Sequence, residues 1–264
     1  MGFPGYQYIY GPVASWRYGR SLGIDPVSAA KKTCSFDCVY CQVGKTVLLT
    51  DQRSVFVPTE ALIGELQRVP PVEIDQITFA GNGEPTLAAN LGEMIRGIRN
   101  IRSERIAVIT NASLIWRPDV QEDLALADVV IAKLDAATET MFSDVNHPAA
   151  KLTIEEICGG LRVFKKKFKG RMVLQAMFVS PNRDAAAGIA KRALSIGPDE
   201  IEVNTPLRVS PVKPLGPEEM AGITKIFREI CAGIPVKTVY EEERRKSEPF
   251  CRESTERRRG KESA

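Results

Sequence analysis

The feature that most restricts the fold of this chain is a repeated alternation of strand-like and helix-like segments. After Ser21, short apolar segments of β-like composition alternate with longer amphipathic ones. This alternation predicts a parallel sheet whose strands are connected by covering helices. The predicted strands are residues 22–24, 76–80, 105–110, 129–134, 172–179 and 200–204, and the predicted helices are residues 59–68, 91–101, 118–126, 153–166, 184–196 and 216–230. These six units predict an α/β fold of the partial (β/α)6 TIM-like barrel type, rather than a complete eight-fold barrel.

The composition predicts one domain with short extensions. Of the 264 residues, 44% are hydrophobic and 26% are charged, which is ordinary for a soluble globular protein. The predicted parts are an N-terminal cap or strand at 1–20, the barrel core at 21–210, a C-terminal helix with a short extension at 211–240, and a charged tail at 241–264. Because the tail has almost no apolar anchor, it is predicted to be disordered or a solvated helix. The proline-rich passage at 206–214 is predicted to cross the barrel mouth.

The cysteine content and the targeting signals of the sequence allow a prediction of the cellular compartment. No apolar segment approaches the length of a membrane span, and the N-terminus has no secretory pattern, so we expect a cytoplasmic protein without membrane association. Six cysteines in such a chain favour metal or redox use over disulfide bonds. Cys158 and Cys231 lie in apolar helical segments and are predicted to be buried hydrophobic residues, whereas Cys251 is interpreted as an incidental thiol. The net charge of +3 gives only a faint indication of a nucleic-acid partner.

Residues suited to chemistry lie at the ends of the predicted strands or in the loops that follow them. In βα barrels the active site lies at the carboxyl ends of the strands, so this placement indicates a functional site at that end. The residues concerned are Cys34, Cys38, Cys41, Gly81, Asn82, Gly83, Glu84, Asn111, Ser113, Lys133, Asp135 and Asn204.

Cys34, Cys38 and Cys41 can bind one metal centre if the backbone loops around it. An iron-sulfur cluster suits this spacing better than a closed zinc site, because structural zinc requires four protein ligands and no fourth Cys or His is nearby. Three protein ligands leave one coordination position open for an exchangeable ligand. The alternative is a zinc knuckle completed by a remote ligand, or a chance group of thiols.

The spacing Cys-x3-Cys-x2-Cys, with Tyr40 directly before the last cysteine, resembles the motif of the radical S-adenosylmethionine (SAM) superfamily. The resemblance implies a 4Fe-4S cluster held by the three cysteines, with SAM bound to its fourth iron. It also implies reductive cleavage of SAM to methionine and a 5'-deoxyadenosyl radical, which removes a hydrogen atom from the substrate.

The loop Gly81, Asn82, Gly83, Glu84 resembles the superfamily motif that holds the methionyl amine of SAM. Its glycines permit close approach of the backbone to a ligand, and Glu84 offers an acceptor to an ammonium group. The resemblance implies further SAM contacts from Tyr40 and Asn204 at the adenine, from Asn111 and Ser113, and from Lys133 or Asp135 at the ribose or the methionyl carboxylate. For each of these polar residues the alternative is strand-end capping or turn formation.

The N-terminal segment at 10–24 resembles a subgroup of radical SAM iron-sulfur oxidoreductases related to the wyosine-forming tRNA enzymes. Ala14 and Trp16 depart from the subgroup pattern, which has Pro and Arg there, so contacts made at these positions are expected to differ. Arg17 and Arg20 are interpreted either as counter-charges for the cluster and the SAM carboxylate or as surface residues.

Three other residues near the predicted strand ends have simpler interpretations. His147 is predicted to be a loop residue, with a role in substrate binding or proton transfer as the alternative. Gln175 and Met177 are predicted to face the barrel interior.

The resemblance leaves the substrate and the outcome of the reaction open. Activation of a C–H bond in a small molecule or peptide is favoured over RNA modification, radical methyl transfer and activation of a glycyl-radical protein. An external electron donor, a flavodoxin or ferredoxin, is expected because no flavin-binding segment is evident. The alternative from another class is a non-catalytic iron-sulfur or zinc protein that carries electrons or binds RNA. The oligomeric state is not predicted.

Overall fold

The structure is a computed structural model that describes residues 5–149, 152–242 and 245–259. Its described strands are β1 (Ile9–Ser15), β2 (Gly19–Ile24), β3 (Thr33–Cys34), β4 (Leu48–Leu49), β5 (Gln76–Phe79), β6 (Arg105–Thr110), β7 (Val129–Lys133), β8 (Arg171–Met177), β9 (Glu200–Asn204) and β10 (Val236–Thr238). Eight of them form one sheet in the order β1-β2-β5-β6-β7-β8-β9-β10. Only β1 is antiparallel, and it pairs with β2 as a hairpin. β3 and β4 form a separate two-stranded parallel sheet.

The helices lie between successive parallel strands, except for the last helix, which follows β10. They are α1 (Thr59–Leu66), α2 (Leu91–Arg99), α3 (Pro118–Leu124), α4 (Glu139–Asn146), α5 (Ile154–Lys167), α6 (Ala186–Ile196), α7 (Pro217–Ile230) and α8 (Arg252–Arg259). All six predicted strands and all six predicted helices are present, and the predicted partial barrel is confirmed as a curled, mostly parallel half-barrel. The short elements α4 and β10 were not predicted, because neither is long enough to show a clear period.

The two faces of the sheet have different chemistry. The face that carries Leu22, Ile77, Val108 and Leu174 packs into the main hydrophobic core with the helices. The opposite face carries a small apolar cluster and, nearer the strand ends, a row of polar side chains from Lys133, Gln175 and Glu202, which are register partners on adjacent strands. Gln175 Nε2 donates to Glu202 Oε2 at 2.7 Å, so the inner face of the half-barrel is polar towards its carboxyl end.

The turn between β1 and β2 contacts β9, a strand near the other edge of the same sheet. Tyr18 donates its hydroxyl hydrogen to Glu202 Oε1 at 2.9 Å, and Arg17 Nε lies 3.6 Å from Glu202 Oε2. Arg20 instead binds Asp75, with Nε 3.1 Å from Oδ2. Both arginines stand at the amino-terminal end of β2, opposite to the end where the cysteine loop begins. Their interpretation as counter-charges for a cluster is therefore wrong, and both act as partners of carboxylates within the fold.

Asp75 is expected to contribute to stability in a pH-dependent way. The hydrogen bonds from the Arg20 side chain and backbone lower the pKa of Asp75 to about 2, and Arg245 Nη1 adds a contact of 2.9 Å. A depressed pKa stabilises the folded state above the unfolded pKa near 4, and this contribution disappears as the pH falls towards 2. Because Asp75 is partly exposed, solvent weakens this contribution. We therefore expect Asp75→Asn to lower the free energy of unfolding by about 1 kcal/mol at pH 7 and by almost nothing at pH 2. Urea unfolding at both pH values measures the difference; an equal cost at both would contradict the assignment.

The charged tail does not behave as its composition predicted. Within its described part, α8 packs on β1, and Gly11 N donates to Thr255 Oγ1 at 3.1 Å. The side chain of Arg258 has no solvent exposure and forms an ion pair with Asp25 at 3.2 Å. The prediction of a disordered or solvated segment is wrong for α8, because the buried contacts come from charged and polar side chains rather than from an apolar anchor. Residues 243–244 and 260–264 of that predicted tail lie outside the described part of the chain.

The three cysteines outside the cysteine loop lie in the core or at the start of α8. Cys158 and Cys231 are fully buried in the main core, as predicted. The backbone of Cys251 forms a bridge to Gly11, so this cysteine is held at the start of α8. Among the residues that the structure describes, no helix is both long and apolar enough to cross a membrane.

Candidate metal centre

The cysteine loop begins after β2 and is held in place by the end of α4. Asp37 N donates to Asn146 O at 3.1 Å, and Val39 N donates to Val145 O at 3.0 Å. Cys41 N donates to Cys38 O at 3.0 Å, which closes a turn between the second and third cysteine. Each of the three cysteine residues is partly exposed. Backbone hydrogen bonds from a separate element therefore fix the conformation of the loop that carries the three sulfur atoms.

Each of the three sulfur atoms has a nitrogen donor beside it. Lys32 Nζ lies 3.1 Å from Cys41 Sγ. Asn146 Nδ2 lies 3.4 Å from Cys38 Sγ, and Asn111 Nδ2 lies 3.7 Å from Cys34 Sγ. Donors of this kind stabilise thiolates and tune the potential of iron-sulfur clusters. The donor set fits a cluster bound by three thiolates.

Burial favours the neutral form of two of the three thiols. Burial raises the pKa of Cys38 to about 12, with the Asp135 carboxylate as a further cause. Burial, with the carboxylate of Glu84 as the next cause, raises the pKa of Cys34 well above its usual range. A metal that coordinates these thiols would deprotonate them.

No three His, Cys, Asp or Glu side chains within 5–149, 152–242 and 245–259 lie close enough together to hold one metal ion. The cysteines of a 4Fe-4S cluster bind separate irons, so they need not converge on one point.

The loop of residues 81–84 lies directly against the cysteine segment. A Cβ atom on Gly83 would stand 1.7 Å from the Thr33 carbonyl oxygen, so only glycine permits this approach. A Cβ on Gly81 would stand 2.4 Å from Cγ of Asp25, at the end of the first barrel strand. The backbone of Asn82 hydrogen-bonds the same Asp25 carboxylate. Steric contact and hydrogen bonding thus fix the loop beside the cysteines.

Glu84 joins this loop to the end of β6. Its side chain is buried, and Oε1 accepts hydrogen bonds from Thr86 N at 3.0 Å and from Thr110 Oγ1 at 2.6 Å. Oε2 accepts from Asn111 N at 2.7 Å. Burial raises the pKa of Glu84, and these hydrogen bonds oppose that rise. The carboxylate therefore anchors two strand-end loops to each other, which is a role that its prediction as an ammonium acceptor did not include.

Asp135 is the centre of a second polar cluster at the end of β7. Its carboxylate accepts hydrogen bonds from the Tyr40 hydroxyl, from Asn146 Nδ2 at 3.0 Å and from Met177 N at 2.8 Å. Lys133 Nζ lies 3.3 Å from Asp135 Oδ1 and 5.1 Å from the centre of the Tyr40 ring. Three of the predicted cofactor contacts, Tyr40, Lys133 and Asp135, are thus brought together beside Cys38.

Asn111 and Ser113 contact the cysteine segment, whereas Asn204 does not. Asn111 Nδ2 donates to Ser35 Oγ at 2.9 Å, and Ser113 Oγ lies 2.6 Å from the same Ser35 hydroxyl. Asn204 Oδ1 accepts from Thr205 N at 2.9 Å, which is the strand-end capping that was its alternative interpretation.

The predictions for the barrel interior can be compared with positions in the structure. Gln175 lies on the inner face, beside Lys133 and Glu202. Met177 packs with Tyr40 in a small cluster that also contacts Cys38. His147 ends α4 in a left-handed conformation with φ of 42°, and its carbonyl accepts from Asp37 N at 3.1 Å. It therefore supports the cysteine loop through its backbone.

Sequence reasoning missed four residues of this region: Asp25, Lys32, Ser35 and Asn146. Lys32 and Ser35 lie within two residues of Cys34 in the sequence, so their proximity to the cysteine ligands was available as a signal. Asn146 gave no usable signal, because α4 was not predicted and its contacts are with residues far away in the sequence.

Comparisons with known proteins agree with this geometry. The family model for the radical SAM superfamily matches residues 31–191. A UPF0026 protein of Synechocystis sp. is 42% identical over 206 residues, which cover 78% of this chain and 77% of that protein. A radical SAM methyltransferase from Sphaerobacter thermophilus has a TM-score of 0.62 at 16% identity, over 83% of this chain and 65% of that chain. Streptococcus suis SuiB bound to S-adenosylmethionine has a TM-score of 0.62 at 13% identity, over 84% of this chain and 50% of that chain.

This chain therefore spans between half and two thirds of those two solved chains, and at such identities they share its fold. The matched region contains the cysteine loop, the 81–84 loop and the Asp135 cluster. The cofactors of this family are a 4Fe-4S cluster and SAM. From the family match, the fold and the set of donors around the three cysteines, we conclude that the chain belongs to the radical SAM superfamily.

Proposed function

We propose that this protein cleaves SAM reductively and uses the resulting 5'-deoxyadenosyl radical to remove a hydrogen atom from a small molecule or peptide. The observation that carries the proposal is the meeting of the cysteine loop, the 81–84 loop and the Asp135 cluster at one end of the half-barrel. When bound, the cluster and SAM supply the one-electron chemistry, which no side chain provides.

The residues of the chain have separable roles in this proposal. Cys34, Cys38 and Cys41 bind the cluster, and the nitrogen donors beside them offset its negative charge. Gly81, Asn82 and Gly83 present backbone groups to the methionyl part of SAM, and Glu84 orients that loop by its hydrogen bonds to β6.

Tyr40, Lys133 and Asp135 supply the polar wall next to the cysteines. We assign Lys133 or Asp135 to the ribose or the methionyl carboxylate of SAM, and Tyr40 to its adenine. Asn111 and Ser113 hold the cysteine segment in place from the other side. Asn204 stays a proposed adenine contact. The subgroup related to the wyosine-forming enzymes also stays a proposal.

The experiment that tests the function is anaerobic reconstitution with iron and sulfide, followed by incubation with SAM and dithionite. We expect 5'-deoxyadenosine and methionine in equal amounts. S-adenosylhomocysteine as the main product would replace the proposal with methyl transfer. A complete cluster that neither binds nor cleaves SAM would replace it with electron transfer by a non-catalytic iron-sulfur protein. If deoxyadenosine forms, deuterium exchange into added compounds, peptides or RNA would identify the substrate class.

Glu84→Gln should weaken SAM binding without loss of the cluster. The amide has one acceptor atom in place of two, so a buried donor from Thr110, Thr86 or Asn111 loses its partner, which costs about 1–3 kcal/mol. The 81–84 loop then loses its fixed position, and we expect the Kd for SAM to rise about tenfold or more. Equilibrium dialysis with SAM and an iron assay measure the two properties separately.

Glu65→Gln is the matched control for this substitution. Glu65 is also a buried carboxylate, and it accepts backbone hydrogen bonds from residues 7–9 at 2.8–2.9 Å, away from the cysteine loop. The Glu65→Gln variant should lose about as much stability as Glu84→Gln and should bind SAM with the affinity of the wild type. Equal SAM affinities in the two variants would contradict the role given to Glu84.

A further inference from the structure

An exposed apolar strip lies beside the cysteine loop. Val47, Leu48 and Leu49 are consecutive and expose 61%, 52% and 44% of their surface. The last two form β4, which pairs only with β3 in the described part of the chain, so β4 is an edge strand. Exposed apolar edge strands promote aggregation unless something covers them, and exposed apolar patches often mark interaction sites. We call residues 47–49 the apolar strip.

The strip is connected to the cluster ligands through the backbone. Leu49 is the register partner of Cys34, and Leu48 is the partner of Thr33. Thr50 N donates to Cys34 O at 3.0 Å, and Leu48 N donates to Lys32 O at 3.1 Å. A protein that covers the strip would therefore come within one strand spacing of the segment that carries the first cluster cysteine.

The net charge of the segment around the strip is positive. Lys31 and Lys45 are exposed and precede the strip in the sequence, and Lys32 is partly buried with Nζ 3.1 Å from Cys41 Sγ. The carboxylates of the segment 31–51 are Asp37, whose Oδ1 accepts from Thr46 N at 2.6 Å, and Asp51, whose Oδ1 accepts from Gln52 Nε2 at 2.7 Å. A partner that covers this surface would encounter apolar contact next to three lysines, which suits an acidic protein.

We propose that the apolar strip, with Lys31 and Lys45, is the docking surface for an acidic one-electron donor protein. This inference depends on the proposed function, because reductive cleavage of SAM consumes one electron from outside the chain. The donor loses one electron, the cluster gains it, and no bond forms or breaks at the interface. Complexes for electron transfer are small and weak, which agrees with a patch of three apolar residues, and steering by lysines raises their rate of encounter.

The test measures reduction of the reconstituted cluster in a stopped-flow instrument by its visible absorbance. The probes are a photoreduced bacterial flavodoxin and a reduced two-iron ferredoxin. With Leu48→Glu, we expect at least a tenfold lower second-order rate constant for the donor that reduces the wild type faster, and an unchanged rate with dithionite. Lys45→Glu should lower the rate at low ionic strength and approach the wild type at high salt, where charges are screened.

Leu194→Glu is the matched control. Leu194 is 46% exposed on α6, two residues before that helix ends, and therefore lies at the opposite end of the sheet from the cysteine loop. Its rates with protein donors should equal those of the wild type.

Three results would overturn the proposal. One is a wild-type rate for Leu48→Glu, and another is a wild-type cluster that dithionite reduces but neither donor protein reduces. The third is a wild-type dimer in gel filtration that Leu48→Glu dissociates, because a second copy of this chain would then cover the strip. Failure of the proposed function is seen separately, as a lack of deoxyadenosine with dithionite, whatever the rates with protein donors.

Discussion

Cys38→Ala should abolish binding of the iron-sulfur cluster and, with it, all formation of 5'-deoxyadenosine. Cys38 is the middle ligand of three, and its sulfur lies beside Asn146 Nδ2 and near Asp135. With two cysteines left, a second iron would lose its protein ligand, and the described part of the chain places no other cluster of metal-ligating side chains there. We expect the visible absorbance of the cluster and about four irons per chain to be missing after anaerobic reconstitution. Iron and sulfide assays measure the loss directly.

Cys251→Ala is the control for this substitution. Cys251 is also partly exposed, and its backbone is bound to Gly11 at the start of α8. The variant should retain the iron content and the deoxyadenosine yield of the wild type. Retention of a full cluster by Cys38→Ala would show that the three cysteines are not the ligand set.

Arg258→Met should destabilise the protein strongly although it lies in the charged C-terminal segment. The Arg258 side chain has no solvent exposure, and Asp25 has 1%. Arg258 Nη1 donates to Ser254 O and Nη2 to Ser28 Oγ, both at 3.0 Å. Removal of one member of a buried ion pair leaves the other charge without a partner and costs about 3–5 kcal/mol. Chemical unfolding measures the loss, and limited proteolysis detects release of α8 by itself.

The loss of stability in Arg258→Met should also increase with pH. Burial raises the pKa of Asp25 to about 6, and the charge of Arg258 opposes that rise. Without the guanidinium, the pKa of Asp25 in the folded protein rises further above its value in the unfolded chain. A raised pKa costs stability progressively as the pH increases, so the deficit of Arg258→Met should be larger at pH 8 than at pH 5.

Arg257→Met provides the comparison. Arg257 is exposed and makes one hydrogen bond, from Nη2 to Tyr6 O at 3.2 Å. Removal of the Arg257 side-chain charge should lower the free energy of unfolding by less than about 1 kcal/mol. Equal effects of the two substitutions would contradict the assignment of the buried pair. Because Asp25 also packs on Gly81 and binds Asn82, a weaker affinity for SAM should accompany the Arg258 defect.

The fold was largely predictable from local patterns. Strands such as β6 and β9, and helices such as α5 with its Thr153 capping box, are specified by residues within one window of sequence. The order of strand and helix then permits few topologies, and the parallel half-barrel is one of them. The cysteine spacing likewise predicted the metal chemistry, since three ligands on one short loop need no long-range information.

The tertiary structure decided which polar side chains meet. Asp25 and Arg258 are 233 positions apart, and Tyr40 and Asp135 are 95 apart, so no local pattern connects either pair. The wrong prediction for the tail has the same origin, because charged residues are interpreted from composition as solvated until a buried partner is known. The position of Arg20 also depends on a contact with a distant residue, since Asp75 is 55 positions away. The sequence by itself determined the half-barrel and the metal-binding loop, through periodicity and spacing. Only the tertiary structure determined the network of polar side chains around that loop. Its hydrogen bonds and ion pairs join residues that are distant in the sequence and come within contact distance only when the strands have paired.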